Sequence, residues 1–124
     1  MVSRSLSTRD VGAAGEERAA AYLRSKHYEI TERNFRKSTG EVDIIAVDGG
    51  TIVFCEVKSW ERMPMGGLEH ALNHRKQGRI VRTSLWYLHE HPEYSRLQPR
   101  FDVLFVRAGA IVHLEDAFSG RGMR

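Results

Sequence analysis

The chain has one cysteine in 124 residues, no long apolar run, no repeat and no strong excess of charge of either sign. Each absence removes a class of protein. Cys55 alone makes no internal disulfide and supplies no cysteine-based zinc site within one chain. It alternates with Thr51, Val53 and Val57, a pattern that marks a buried thiol of a strand rather than a nucleophile. No stretch reaches the roughly 18 apolar residues of a membrane span, and MVSRSLSTRDVG at the N-terminus lacks the apolar segment of a signal peptide. A cytoplasmic protein with no membrane contact is expected. Nineteen basic against 16 acidic residues give +3 and a pI near 9.3, a balance that admits a polyanionic partner without requiring one.

What remains is an ordinary globular composition, 41% hydrophobic and 28% charged, on a chain long enough for one core and too short for two. A single domain over 1–124 is expected, with its ordered part at about 9–118. SGRGMR, which closes the chain over 119–124, has too little apolar content to be held down and is expected to be mobile. From Arg9 to about Lys26 the alanine-rich RDVGAAGEERAAAYLRSK, with a cap at Thr8 or Asp10, reads as a helix. Tyr28–Phe35 reads as a strand and residues 40–60 as a hairpin about Asp48-Gly49-Gly50. GLEHALNHRKQGRIVRTSLWYLHEH reads as one long helix that ends before Pro92. RFDVLFV and AIVHLEDAF read as two further strands joined at Ala108-Gly109. The fold class is α/β, a mixed sheet of about five strands flanked by helices.

The hairpin GEVDIIAVDGGTIVFCEVKSW carries acids and a lysine where strands usually bury apolar side chains. With Gly49-Gly50 at a two-residue turn, Ile45 faces Phe54, Asp43 faces Glu56 and Glu41 faces Lys58. Directly opposed residues have Cβ atoms about 4.5 to 5.5 Å apart, so Asp43 and Glu56 repel unless a cation or a proton lies between them. Lys58 shares its face with Glu56, Phe54 and Ile52 but cannot neutralise two or three acids. A hard divalent cation would, and Mg²⁺ is usually held by one or two carboxylates with water and phosphate oxygens. On the first helix Glu16 shares a face with Ala19, Ala20 and Leu23, whereas Glu17 leans toward Arg24 and solvent, so Glu16 is the candidate third acid. The same residues are also compatible with a salt-bridge cluster: Glu41 with Lys58, Asp43 near Arg36 or Lys37, and Glu56 exposed at a sheet edge.

A helix glutamate followed by GEVD and then FCEVK resembles the PD-(D/E)XK nuclease superfamily, in which an acid on one strand and an E-x-K on the next form a metal-dependent phosphodiesterase site. More closely, GAAGEERAAAYL, RNFR, GEVDIIA, VFCEVKSW, the lysine of HRKQGRI, RFDVLFV and the closing EDAF are similar to the YraN-like bacterial family, uncharacterised protein family 0102. The likeness runs from about Val11 to Phe118. It implies a restriction-endonuclease-like fold, similar to archaeal Holliday-junction resolvases. It also implies a site in which Asp43, Glu56 and Lys58 are catalytic, and in which Asp43, Glu56, the Val57 carbonyl and Glu16 through water hold Mg²⁺ or Mn²⁺. Hydrolysis of phosphodiester bonds in DNA, branched or structured DNA included, is the expected activity. A nucleic-acid-binding module without efficient cleavage is the alternative. Junction-cutting relatives act as symmetric pairs, which makes a homodimer an expectation.

One position departs from the pattern: the family commonly has arginine two residues after the E-x-K lysine, where this chain has Trp60, a residue that can stack on an unpaired base or pack against the loop that follows. Lys76 matches the family lysine and is expected near the site. Arg75, Arg79 and Arg82 form a helical stripe suited to phosphate contacts, and equally to a solvated face. His70 and His74 have metal-ligand spacing but no acid between them, and zinc is not expected there. Asn34 and Asp102 match family positions, and spacing assigns them only local hydrogen bonds at strand ends.

Overall fold

In the computed structural model, described over residues 8–59 and 72–120, two helices flank a five-stranded sheet; the side chains of residues 8–11 lie outside that description. The elements are α1 (Thr8–Ser25), β1 (Glu29–Lys37), β2 (Gly40–Asp48), β3 (Thr51–Ser59), α2 (His74–Glu90), β4 (Gln98–Arg107) and β5 (Ala110–Phe118), with one 3₁₀ turn at Pro92–Tyr94. The sheet order is β1-β2-β3-β4-β5. β3 and β4 pair in parallel and every other neighbour pairs antiparallel, so the sheet is mixed, as expected. Parallel neighbours need a crossover, and the segment containing α2 supplies it.

The two faces of the sheet bury separate clusters. On one face Ala19, Ala20 and Leu23 of α1, all fully buried, cover Ile44, Ala46, Val53, Cys55, Leu104 and Val106. The small residues let the helix backbone come close, and at Gly15 a Cβ would collide with the Ser59 hydroxyl. On the other face Ile80, Val81 and Tyr87 of α2 cover Val42, Ile45, Ile52, Phe54 and Phe101. Full burial of each large apolar side chain stabilises by about 1.5–3 kcal/mol. Among the described residues no helix is long and apolar enough to cross a membrane.

Three sequence expectations need correction or delimiting. The second helix does not run unbroken from Gly67: Leu72 and Asn73 precede it, and Asn73 caps it from an extended backbone (ψ 168°), its side chain accepting the Lys76 N–H at 2.9 Å. An asparagine that offers its own oxygen to the free amides of the first turn fixes where a helix begins. His74 is therefore the first residue of α2, and His70 lies outside the described residues. At α1 the helix already includes Thr8, which places Asp10 inside it rather than at its cap. Residues 121–124 of the proposed tail also lie outside the described residues, whereas Gly120 rests over Val81 and Phe101.

Candidate functional site

The β2–β3 ladder follows the expected register from Asp48↔Thr51 to Ile44↔Cys55 and then stops, although both strands continue. Face alternation slips at the same point. Val42 and Ile45 both belong to the α2-side cluster and Ile44 to the other, whereas strict alternation would put Val42 with Ile44. β1 slips in step: Arg33 pairs with Ile44 and Phe35 with Val42, and Asn34 between them has a left-handed backbone, φ 53°. Asn adopts this conformation more readily than most residues. The projected ladder pairs Asp43–Glu56 and Glu41–Lys58 therefore do not form. Asp43 Oδ2 instead accepts the Val57 N–H at 2.8 Å, standing in for the missing strand carbonyl.

Acids converge on this gap. Glu56, 7% exposed on the α2 side of β3, receives Lys58 Nζ at 3.4 Å and Lys76 Nζ at 3.5 Å, both on Oε1. The salt-bridge arrangement with Glu56 at an exposed edge is thus absent; Glu41 pairs with Arg36 at 3.2 Å rather than with Lys58. Glu16 approaches from α1. With the Asn34 amide turned as its neighbours require, Asn34 Nδ2 donates to Glu16 Oε1 at 2.8 Å and to Glu41 Oε1 at 3.1 Å, tying the helix acid to β1 and β2.

The titration of these groups follows from their neighbours. Burial and then the charge of Glu56 push the Asp43 carboxyl up to about 8, against the pull of the Val57 N–H. Burial and then Glu41 raise the Glu16 carboxyl as well. Burial and then the adjacent Lys76 hold Lys58 below the usual lysine value. Burial works against the charge of Lys76, but contact with Lys58 and the charge of Glu56 outweigh it and leave Lys76 above its ordinary value. A cavity of about 200 Å³ opens on this group, lined by Gly40, Glu41, Asp43, Glu56, Lys76 and Arg79.

Residues 15–106 match the uncharacterised protein family UPF0102. Among relatives, a UPF0102 protein of Treponema denticola is 38% identical over 122 residues, covering 87% of this chain and 94% of its own length. One of Persephonella marina is 41% identical over 107 residues, covering 86% and 91%. One of Syntrophotalea carbinolica is 39% identical over 116 residues, covering 90% and 94%. The chain belongs to the UPF0102 family.

Of the residues expected to form the family's site, Asp43, Glu56, Val57, Lys58 and Lys76 are brought together, Val57 through its amide. Arg79 lines the cavity beside them; Arg75 is exposed on the first turn of α2 and does not line it. Glu16 stands at the edge, linked by Asn34. Trp60 lies outside the described residues. Sequence reasoning missed the work of Asn34 and Glu41; an asparagine within a run of strand formers was the available signal. Among the described residues no three of His, Cys, Asp and Glu form a ready metal cage. The donor set is two carboxylates that oppose each other's charge, a set that suits a hard cation completed by water or phosphate oxygens.

Proposed function

We propose that this protein is a Mg²⁺- or Mn²⁺-dependent endonuclease of the PD-(D/E)XK type that hydrolyses phosphodiester bonds in DNA, with branched or otherwise structured DNA as the favoured substrate. One observation carries the reading: Asp43 and Glu56 are brought together beside paired lysines at the gap where β2 leaves β3, where burial and then the charge of Glu56 push the Asp43 carboxyl up to about 8. An arrangement that costs stability in the folded chain makes sense if a cation and a polyanion complete it.

Asp43 and Glu56 would hold the metal, with Glu16 acting through water. Bound there, the cation supplies charge neutralisation at phosphate and a lowered pKa for attacking water. Lys58, fixed by Glu56 and held by burial below the usual lysine value, orients the water or meets charge developing on the phosphate. Lys76 and Arg79, on the same wall of the cavity, position the phosphodiester.

The test is cleavage of a labelled panel, comprising four-way junction, flap, single strand, duplex and RNA hairpin, with Mn²⁺ or Mg²⁺ at low salt. Wild type is compared with Asp43→Asn and Lys58→Ala. Cleavage lost in both variants is expected. Binding by wild type with no product under any metal leaves a nucleic-acid-binding module and ends the nuclease reading.

A further inference from the structure

The wall of the cavity continues along one edge of α2, away from the acids. Lys76, Arg79, Thr83, Trp86 and Glu90 follow one another at helical spacing of three or four residues, so they form a single stripe about 20 Å long at 1.5 Å per residue. The turn between β1 and β2 lies against this stripe and is pinned to it. The Thr39 and Thr83 hydroxyls are 2.6 Å apart, and Thr83 in turn donates to the Arg79 carbonyl at 2.8 Å. Gly40, at φ 145°, passes so close to α2 that an added Cβ would stand 3.5 Å from Arg79 Cβ. Farther along, Lys37 Nζ is held by Glu90 at 2.9 Å and lies 5.3 Å from the centre of the Trp86 ring.

Between turn and helix runs an open groove of about 410 Å³ lined by Arg36, Lys37, Ser38, Thr39 and Arg79. It shares Gly40, Glu41 and Arg79 with the cavity over the acids, so the two are continuous. Its cations, Arg36, Lys37 and Arg79, outnumber the flanking acids Glu41 and Glu90 by one. At its far end is one of the two exposed large apolar side chains among the described residues, Trp86 at 39%, beside Leu85 at 44%. A basic groove that ends on an exposed indole fits a strand whose bases are free to stack; paired bases are stacked already and offer no face.

We propose that this edge is a track for an unpaired nucleic-acid strand running from the acidic site, with Arg79 and Arg36 on its phosphates and Trp86 as the platform for a base. The inference rests on the nuclease reading for the direction of the track but not for its binding.

The test therefore uses the full chain in EDTA, where cleavage plays no part. Fluorescence anisotropy compares a labelled oligothymidylate with the same strand annealed to oligoadenylate. Wild type is expected to bind the single strand more tightly. Trp86→Ala should weaken that binding about fivefold or more, the lower range for one stacked base, and Trp86→Phe should recover most of it. Arg79→Ala, at an exposed position, should reduce the slope of log K against log salt by about 0.7.

Equal affinity for duplex, or Trp86→Ala binding like wild type, overturns the proposal. So does sedimentation in which Trp86→Ala dissociates a dimer while binding is unchanged, because the patch then belongs to a contact between copies. Trp86-dependent binding without cleavage of any substrate sinks the nuclease reading alone; cleavage that is indifferent to Trp86 sinks this inference alone.

Discussion

Asp43 and Asp102 make the same bond in opposite surroundings. Each accepts a strand N–H where regular pairing falters: Asp43 from Val57 at 2.8 Å, and Asp102 from Asp116 at 2.9 Å across an irregular β4–β5 register. Around Asp102 stand Arg100, with two bonds of 2.9 Å, and His113 Nε2 at 2.7 Å. Burial works against the Asp102 carboxylate, but these donors outweigh it and hold its pKa below the usual value. Around Asp43 stand Glu56 and Glu16, and its pKa goes the other way. Asp102 is what a fold does to satisfy a buried amide; Asp43 is the same device kept at a cost in stability, which marks a site.

That cost predicts that Asp43→Asn is more stable than wild type at neutral pH. A carboxyl titrating near 8 in the folded chain and near 3.8 unfolded binds more protons folded throughout that window. Stability is therefore lost as pH rises from about 4 to 8, and stays lost above. Asparagine keeps an oxygen for the Val57 N–H and removes the charge. The expected gain is on the order of 1–3 kcal/mol at pH 8, vanishing toward pH 4. Thermal melts across that range check it, and a variant less stable than wild type at pH 8 refutes it.

Asp102 carries the opposite sign. Its depressed pKa contributes stability that is complete above about pH 4 and disappears as pH falls through the folded value. Asp102→Ala strands Arg100, whose guanidinium also donates to the Tyr28 hydroxyl at 2.9 Å, and orphans the Asp116 amide. A loss of about 3–5 kcal/mol is expected. Urea melts should show it at pH 7, with the gap to wild type narrowing in strong acid.

These two aspartates also mark how far the sequence could be read. The element order, the Gly49-Gly50 turn and the α1 face of Ala19, Ala20 and Leu23 follow from local chemistry and periodicity, which the chain carries in short windows. Asp43, Glu56 and Lys58 were legible because a period of two puts polar groups on a face that should be apolar. The slip at Asn34 and Asp43 was not, because alternation breaks there through the joint conformation of two strands and neither strand alone records it. Most of the Asp102 network was hidden for the same reason: Arg100 is two residues away on the same strand, but His113 and Asp116 lie 11 and 14 residues away on β5, and no local spacing links them to it. The break at Leu72 and Asn73 was not legible either, because apolar spacing runs straight through these positions and only the capping bond of Asn73 marks the start of α2.

Two glycines with positive φ should respond differently to alanine. Gly49, at φ 59°, has nothing within 4 Å of an added Cβ, so Gly49→Ala meets only the cost of a left-handed residue, about 1–2 kcal/mol. Gly40, at φ 145°, lies in backbone space that is essentially glycine's own, and an added Cβ would stand 3.5 Å from both Arg79 Cβ and Thr83 Oγ1. Gly40→Ala should lower the melting temperature more than Gly49→Ala. It should also loosen the turn from α2, read as faster amide exchange at Thr39. Equal melting shifts would show that the turn is not anchored there.

The lysine pair gives the most specific consequence for activity. Lys58 and Lys76 share one oxygen of Glu56, and after burial it is the Lys76 ammonium that keeps Lys58 below its ordinary value. If Lys58 acts at the phosphate or its water, Lys58→Ala should reduce metal-dependent cleavage by about 10²–10³, the usual loss for one such electrostatic group. Lys76→Ala should lose less, and its signature lies in pH rather than in size. Removing the Lys76 charge raises Lys58 toward the ordinary lysine value, so the limb of the pH–rate profile set by Lys58 should move to higher pH. Lys76→Gln, which can still reach Glu56 but carries no charge, should move it in the same direction. A profile that Lys76→Ala lowers without shifting would assign Lys76 to phosphate contact alone and remove the electrostatic link between the two lysines.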